Sequence, residues 1–129
     1  MNDDEVDDKI SDRVTLGPSV SNKDVLDLLV RQGMFRTALG AFQAAAMLAI
    51  RRGLDPATAQ GSAGTMWNRG SVTPQVLEFL EWYLPTKTPV RMLEQLGNLG
   101  TAHVADRVRS GGYTLTELFE LPELEIDQP

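Results

Sequence analysis

His103 is the single histidine of the chain, and any metal or acid–base chemistry would start from it. Asp106 follows three residues later, so the two share one face of a helix. Two ligands do not make a metal site, and with no cysteine in the chain a third would have to be another carboxylate. Gly61-Ser-Ala-Gly64 has paired glycines but lacks the lysine-bearing end of a phosphate loop and follows no convincing strand. Ser62 has no base near it in sequence, although triads assemble from distant residues. The reading is of a chain that is not an enzyme, with no catalytic residue, no metal and no cofactor. What remains is binding, so the elements that would carry a surface come next.

Those elements are organised around Ala38–Ile50, which is 13 residues long and has one polar side chain, Gln43. Alanine, leucine and methionine favour a helix, with Thr37 as its cap and Gly53 as its stop. A helix apolar nearly all round must be covered on more than one side. It spans about 20 Å, too short for a bilayer, and no window approaches the ~18 apolar residues of a membrane span. The start Met-Asn-Asp-Asp-Glu is neither basic nor apolar, so the expectation is a cytoplasmic protein without a membrane contact.

The net charge of −6 is unevenly spread. Residues 1–8 hold five acids and no base, and residues 117–129 hold five more with no base. The middle, 9–116, has eight acids against twelve bases, a net of +4. This predicts a disordered acidic arm over 1–11, one mainly helical domain over 12–121, and an acidic tail over 122–129. The tails offer a route to a protein partner.

Within the domain, Arg13, Val14, Thr15 and Leu16 alternate polar and apolar, a short strand stopped by Gly17-Pro18. A lone strand of this length needs a partner. Ser21 and Asp24 fit a capping box for a helix over about 22–32, closed by Gly33, and Phe35 plugs the corner before Thr37. A strand-helix-helix unit therefore occupies 12–53, and a helical half occupies 54–121. In that half Asp55-Pro56 starts a brief turn, and Thr65–Trp67 is a candidate second strand. Thr73-Pro74 and Thr88-Pro89 start helices. The first turns Val76, Leu77, Leu80, Tyr83 and Leu84 inward, and Trp67 and Trp82 are expected in the core or at a subunit contact. Gly97 and Gly100 are expected to break the second helix, the alternative being a continuous helix packed closely on a neighbour. Gly111-Gly112 is a hinge, and Thr114 to Glu117 is a capping box for a last helix through Leu121.

The run from Val25 to Thr37, leading into Ala38–Arg52, resembles the ribbon-helix-helix family. That resemblance implies a homodimer whose strands pair into an antiparallel ribbon and whose second helices pack together. Val14, Leu16, Phe42, Ala45, Ala46 and Ala49 would form the dimer interface. Base-reading positions would fall on Arg13 and Thr15, and phosphate contacts on Arg36 and Thr37, all on double-stranded DNA. The strand carries only one base, and the link Gly17-Pro18-Ser19-Val20 is longer than the family's. The strand, the Leu-rich helix, Ala41-Phe-Gln-Ala-Ala-Ala-Met-Leu-Ala-Ile50 and Leu93-Glu-Gln-Leu-Gly-Asn-Leu-Gly100 are also similar to small proteins encoded beside bacterial DNA phosphorothioation and phage-defence genes. Together these resemblances imply a DNA-associated accessory or regulatory protein, the second of them in antiviral defence. The rival expectation is a protein-interaction adaptor that makes no DNA contact.

Overall fold

The computed structural model describes residues 12–59 and 64–120. The acidic arm, the acidic tail, Ser62 and most of its loop lie outside the described residues.

The orphan strand is paired within its own chain. β1 (Thr15–Leu16) runs antiparallel to β2 (Trp67–Asn68), with Thr15 opposite Asn68 and Leu16 opposite Trp67. The Met66 N–H donates to the Leu16 carbonyl at 3.0 Å, and the Arg69 N–H to the Val14 carbonyl at 2.8 Å. These bonds satisfy the backbone that the ribbon expectation left for a second subunit. The predicted apolar face also splits, because the chain bends at Val14. Leu16 is fully buried while Val14 is 73% exposed.

α1 (Val20–Arg31) starts two residues earlier than expected, with Ser19 rather than Ser21 accepting the capping bond, from the Asn22 N–H at 3.3 Å. Val25, Leu26 and Leu29 form its buried face. Gly33 closes the helix with φ +78°, a left-handed turn that suits glycine. α2 (Ala38–Arg51) is capped by Thr37, whose hydroxyl accepts from the Gly40 N–H at 3.0 Å. Its lone polar residue is used at once. The Gln43 side chain accepts from the Thr73 N–H at 3.0 Å and donates to the Thr73 hydroxyl at 3.3 Å, which seats the start of α3 (Pro74–Tyr83).

α4 (Pro89–Ser110) is the axle of the fold, one unbroken helix of 22 residues. The expected break at Gly97 and Gly100 is absent, and the geometry explains why. A methyl at Gly97 would overlap the Phe42 ring, and one at Gly100 would overlap the Ala45 carbonyl. Gly100 lets the main chain of α2 approach α4, and Gly97 makes room for the Phe42 ring. Because 42 meets 97 and 45 meets 100, the two helices advance in the same direction. Glycine costs a helix about 1 kcal/mol relative to alanine, and close packing offsets that cost here.

α5 (Leu115–Phe119) carries the expected capping box, with Thr114 and Glu117 bonded reciprocally. It ends at Glu120, φ +54°. Phe119 meets Phe35 edge to face at 5.3 Å, so Phe35 does fill the corner between α1 and α2.

The coat of α2 is thus its own chain. Phe42, Ala45, Ala46 and Ala49 are fully buried beneath α4 and its neighbours, and Phe42 also packs on Trp67 at 5.1 Å. Leu16, Phe42, Ala45, Ala46 and Ala49 are therefore core residues rather than the predicted dimer interface. Val14, the sixth, is exposed but sits beside a strand already paired. The fold is mainly helical with a small N-terminal sheet. Among the described residues no helix is long and apolar enough to cross a membrane.

Candidate functional site

Three polar residues hold the N-terminal segment on α4, and they account for the first predicted DNA contacts. Asp12 stands before the first turn of α4 and accepts from the Val90 N–H at 2.7 Å and the Arg91 N–H at 3.0 Å. It thereby caps a helix that begins 77 residues later, in place of Thr88, which makes no side-chain cap bond. Arg69, from the turn after β2, reaches the same carboxylate at 2.9 Å. One helical turn further along α4, buried Glu94 accepts from the Gly17 N–H at 3.0 Å and pairs with the Arg13 guanidinium at 2.8 Å. Burial pushes the Glu94 carboxyl above its ordinary value; the Gly17 N–H, then Arg13 and Arg91, pull the other way. Next along the helix, Asn98 accepts from the Ser19 N–H at 2.8 Å and the Asn22 amide at 2.9 Å, and donates to the Gly17 carbonyl at 3.3 Å. Among the described residues no buried side-chain nitrogen or oxygen lacks a partner.

Arg13 and Thr15 are therefore drawn into the body, one by an ion pair and one by strand pairing. Arg36 and Thr37 sit exposed in the α1–α2 connection, where the Thr37 hydroxyl is already the cap of α2. The four residues do not form the ribbon face expected of them. His103 lies 3.9 Å from the Glu120 carboxylate, and among the described residues no group of three potential ligands is close enough to hold a metal ion.

Two concavities mark the body. A cleft of about 340 Å³ is lined by Ser19, Asn22, Thr58 and Asn98, whose amides are committed to the network above. A smaller apolar groove of about 210 Å³ lies between α2 and α5, among Phe35, Met47, Leu48 and Phe119. The amides of the first are already bonded within the chain, and the second is apolar apart from Arg51.

The surface that stands out is convex, on α3. Only Leu80 of this helix is fully buried, with Val76, Leu77 and Leu84 partly covered beside it. Along one flank and outward from it, Phe79, Trp82 and Tyr83 are 36%, 77% and 47% exposed. Their spacing of three and four residues aligns them along one ridge. Phe79 stacks on Tyr83 at 5.4 Å with an interplanar angle of 15°, and its centroid is 6.1 Å from that of Trp82. Glu78 and Glu81 flank the ridge and are exposed, and no lysine or arginine occurs from Ser71 to Thr86.

Sequence reasoning missed this ridge. Tyr83 is expected inward but is about half exposed, Trp82 is exposed and so not a core residue of this chain, and Phe79 is not singled out. The signal was partial: Trp82 lies far around the helix from Val76, Leu77, Leu80 and Leu84, but Tyr83 falls beside Val76, so helical spacing alone does not turn it outward. Comparison of the chain with protein-family models, with curated proteins and with solved structures finds no match.

Proposed function

We propose that the protein is a non-enzymatic interaction adaptor that docks a partner protein on the aromatic ridge of α3. One observation carries this reading. On one short helix Trp82 stays mostly exposed, and Phe79 and Tyr83 stay partly exposed beside it, although the buried core is built without them. Exposed tryptophan and tyrosine clustered on a rigid element are the residues that most often dominate binding energy at protein interfaces.

The DNA-associated accessory role implied by the ribbon-helix-helix resemblance has less support. Its strand is engaged with β2, and its one strand base is engaged with Glu94. The same holds for dimerisation through the α2 alanines, which are already covered by the chain itself.

The test is a photo-cross-linking amino acid placed at position 82 in the cells that encode the protein, with position 31 on α1 as the control. The adaptor reading expects a discrete protein adduct from position 82, lost when Phe79 and Tyr83 are serine, and none from position 31. A nucleic-acid adduct, or equal adducts from both positions, would count against it. Titration with duplex DNA at two salt concentrations completes the test. An adaptor binds at neither, whereas a DNA-binding protein weakens steeply with added salt.

A further inference from the structure

We infer that the partner presents a cationic amphipathic helix to α3, an inference that rests on the adaptor reading above. The ridge is the outward face of a single helix, Pro74–Tyr83, and is built from side chains alone. An extended peptide laid on it would bury its own N–H and C=O groups against aromatic rings without partners. A helix satisfies those groups internally, and its ridges pack into the spaces between residues three and four apart on another helix. Phe79 with Trp82 and Tyr83 is such a set, about one helical turn long.

Charge then selects the partner. Glu78 and Glu81 border the rings, and the next bases in sequence are Arg69 and Lys87, beyond both ends of α3. A lysine or arginine arm lying over Trp82 or Tyr83 meets the negative face of the ring and reaches a glutamate beyond it. A second copy of this chain is disfavoured, because two-fold pairing of the same ridge brings Glu78 and Glu81 of both copies together. Nucleic acid and anionic lipid surfaces meet the same repulsion.

The experiment is calorimetric titration of the full chain with three synthetic helical peptides of about 15–20 residues. One has a leucine face and a lysine face, the second has the same leucine face with glutamate, and the third is the lysine peptide scrambled to destroy its apolar face. The lysine-faced helix is expected to bind about tenfold or more tightly than either control. Trp82→Ser, which leaves the charge unchanged, should weaken it by a similar factor, and E78K/E81K should reverse the preference toward the glutamate peptide. Affinity unchanged in Trp82→Ser would overturn the inference, since attraction would then come from net charge alone. Equal binding of the lysine and glutamate helices would overturn it as well. Trp82-dependent preference for the glutamate helix, or failure of every peptide beside a position-82 protein adduct in cells, would sink the cationic partner and leave the adaptor standing. Failure of both the peptides and the adduct would sink both.

Discussion

Gly100 of α4 stands where no side chain fits against the Ala45 carbonyl of α2. This contact lets the most apolar helix of the chain be buried by the longest one, and it removes the reason for a second subunit to cover α2. It also separates two glycines that look alike in sequence. Opposite Gly97 is the ring of Phe42, a side chain, whereas opposite Gly100 is main chain.

Gly100→Ala should therefore destabilise the protein by about 1–3 kcal/mol despite alanine's helix propensity. Gly97→Ala should cost less. Thermal or denaturant melts of the two variants check the order, and a Gly100→Ala protein more stable than the parent would contradict the close approach of α2 and α4.

Asp12 bonds the first free amides of α4 from the far end of the chain. Asp12→Ala should lower stability by about 1–2 kcal/mol, as loss of a helix cap does. Hydrogen exchange at Val90 and Arg91 should accelerate with it, while the amides in the middle of α4 change less. Unchanged exchange at those two positions would mean that the carboxylate does not act as a cap.

Glu94 gives a pH signature of a definite sign. Its carboxyl is raised above the ordinary value of 4.5 by burial, so the folded protein holds that proton more tightly than the unfolded chain. Its contribution to stability is complete below the unfolded value and is lost as pH rises through the folded one. Other carboxylates titrate too, so the informative quantity is the parent's stability minus that of Glu94→Gln. That difference should fall between pH 4 and pH 7. A rise over the same interval would mean that the pair with Arg13 outweighs burial.

Local signals were read correctly because their causes lie within a few residues. The Thr37 cap, the Thr114–Glu117 box and the prolines at 74 and 89 each report on the turn they begin. The α1 cap falls on Ser19, two residues before Ser21, but the larger errors share the opposite property. Gly97 and Gly100 look like breakers until α2 is laid against them, and Leu16 looks unpartnered until Trp67 returns from half the chain away. Arg13 looked free to read bases because nothing near it in sequence announces Glu94. Of the aromatic ridge, helical spacing turns Trp82 outward but leaves Tyr83 beside Val76 at the edge of the apolar face.

The central claim is that the α3 ridge serves binding and contributes little to folding. Trp82→Ser should melt within about 0.5 kcal/mol of the parent, as exposed positions do. In the same preparation, titration with the lysine-faced helix should fall to the level of its scrambled control. A large loss of stability would make the ridge part of the core, and binding that survives in the folded variant would mean the partner sits elsewhere.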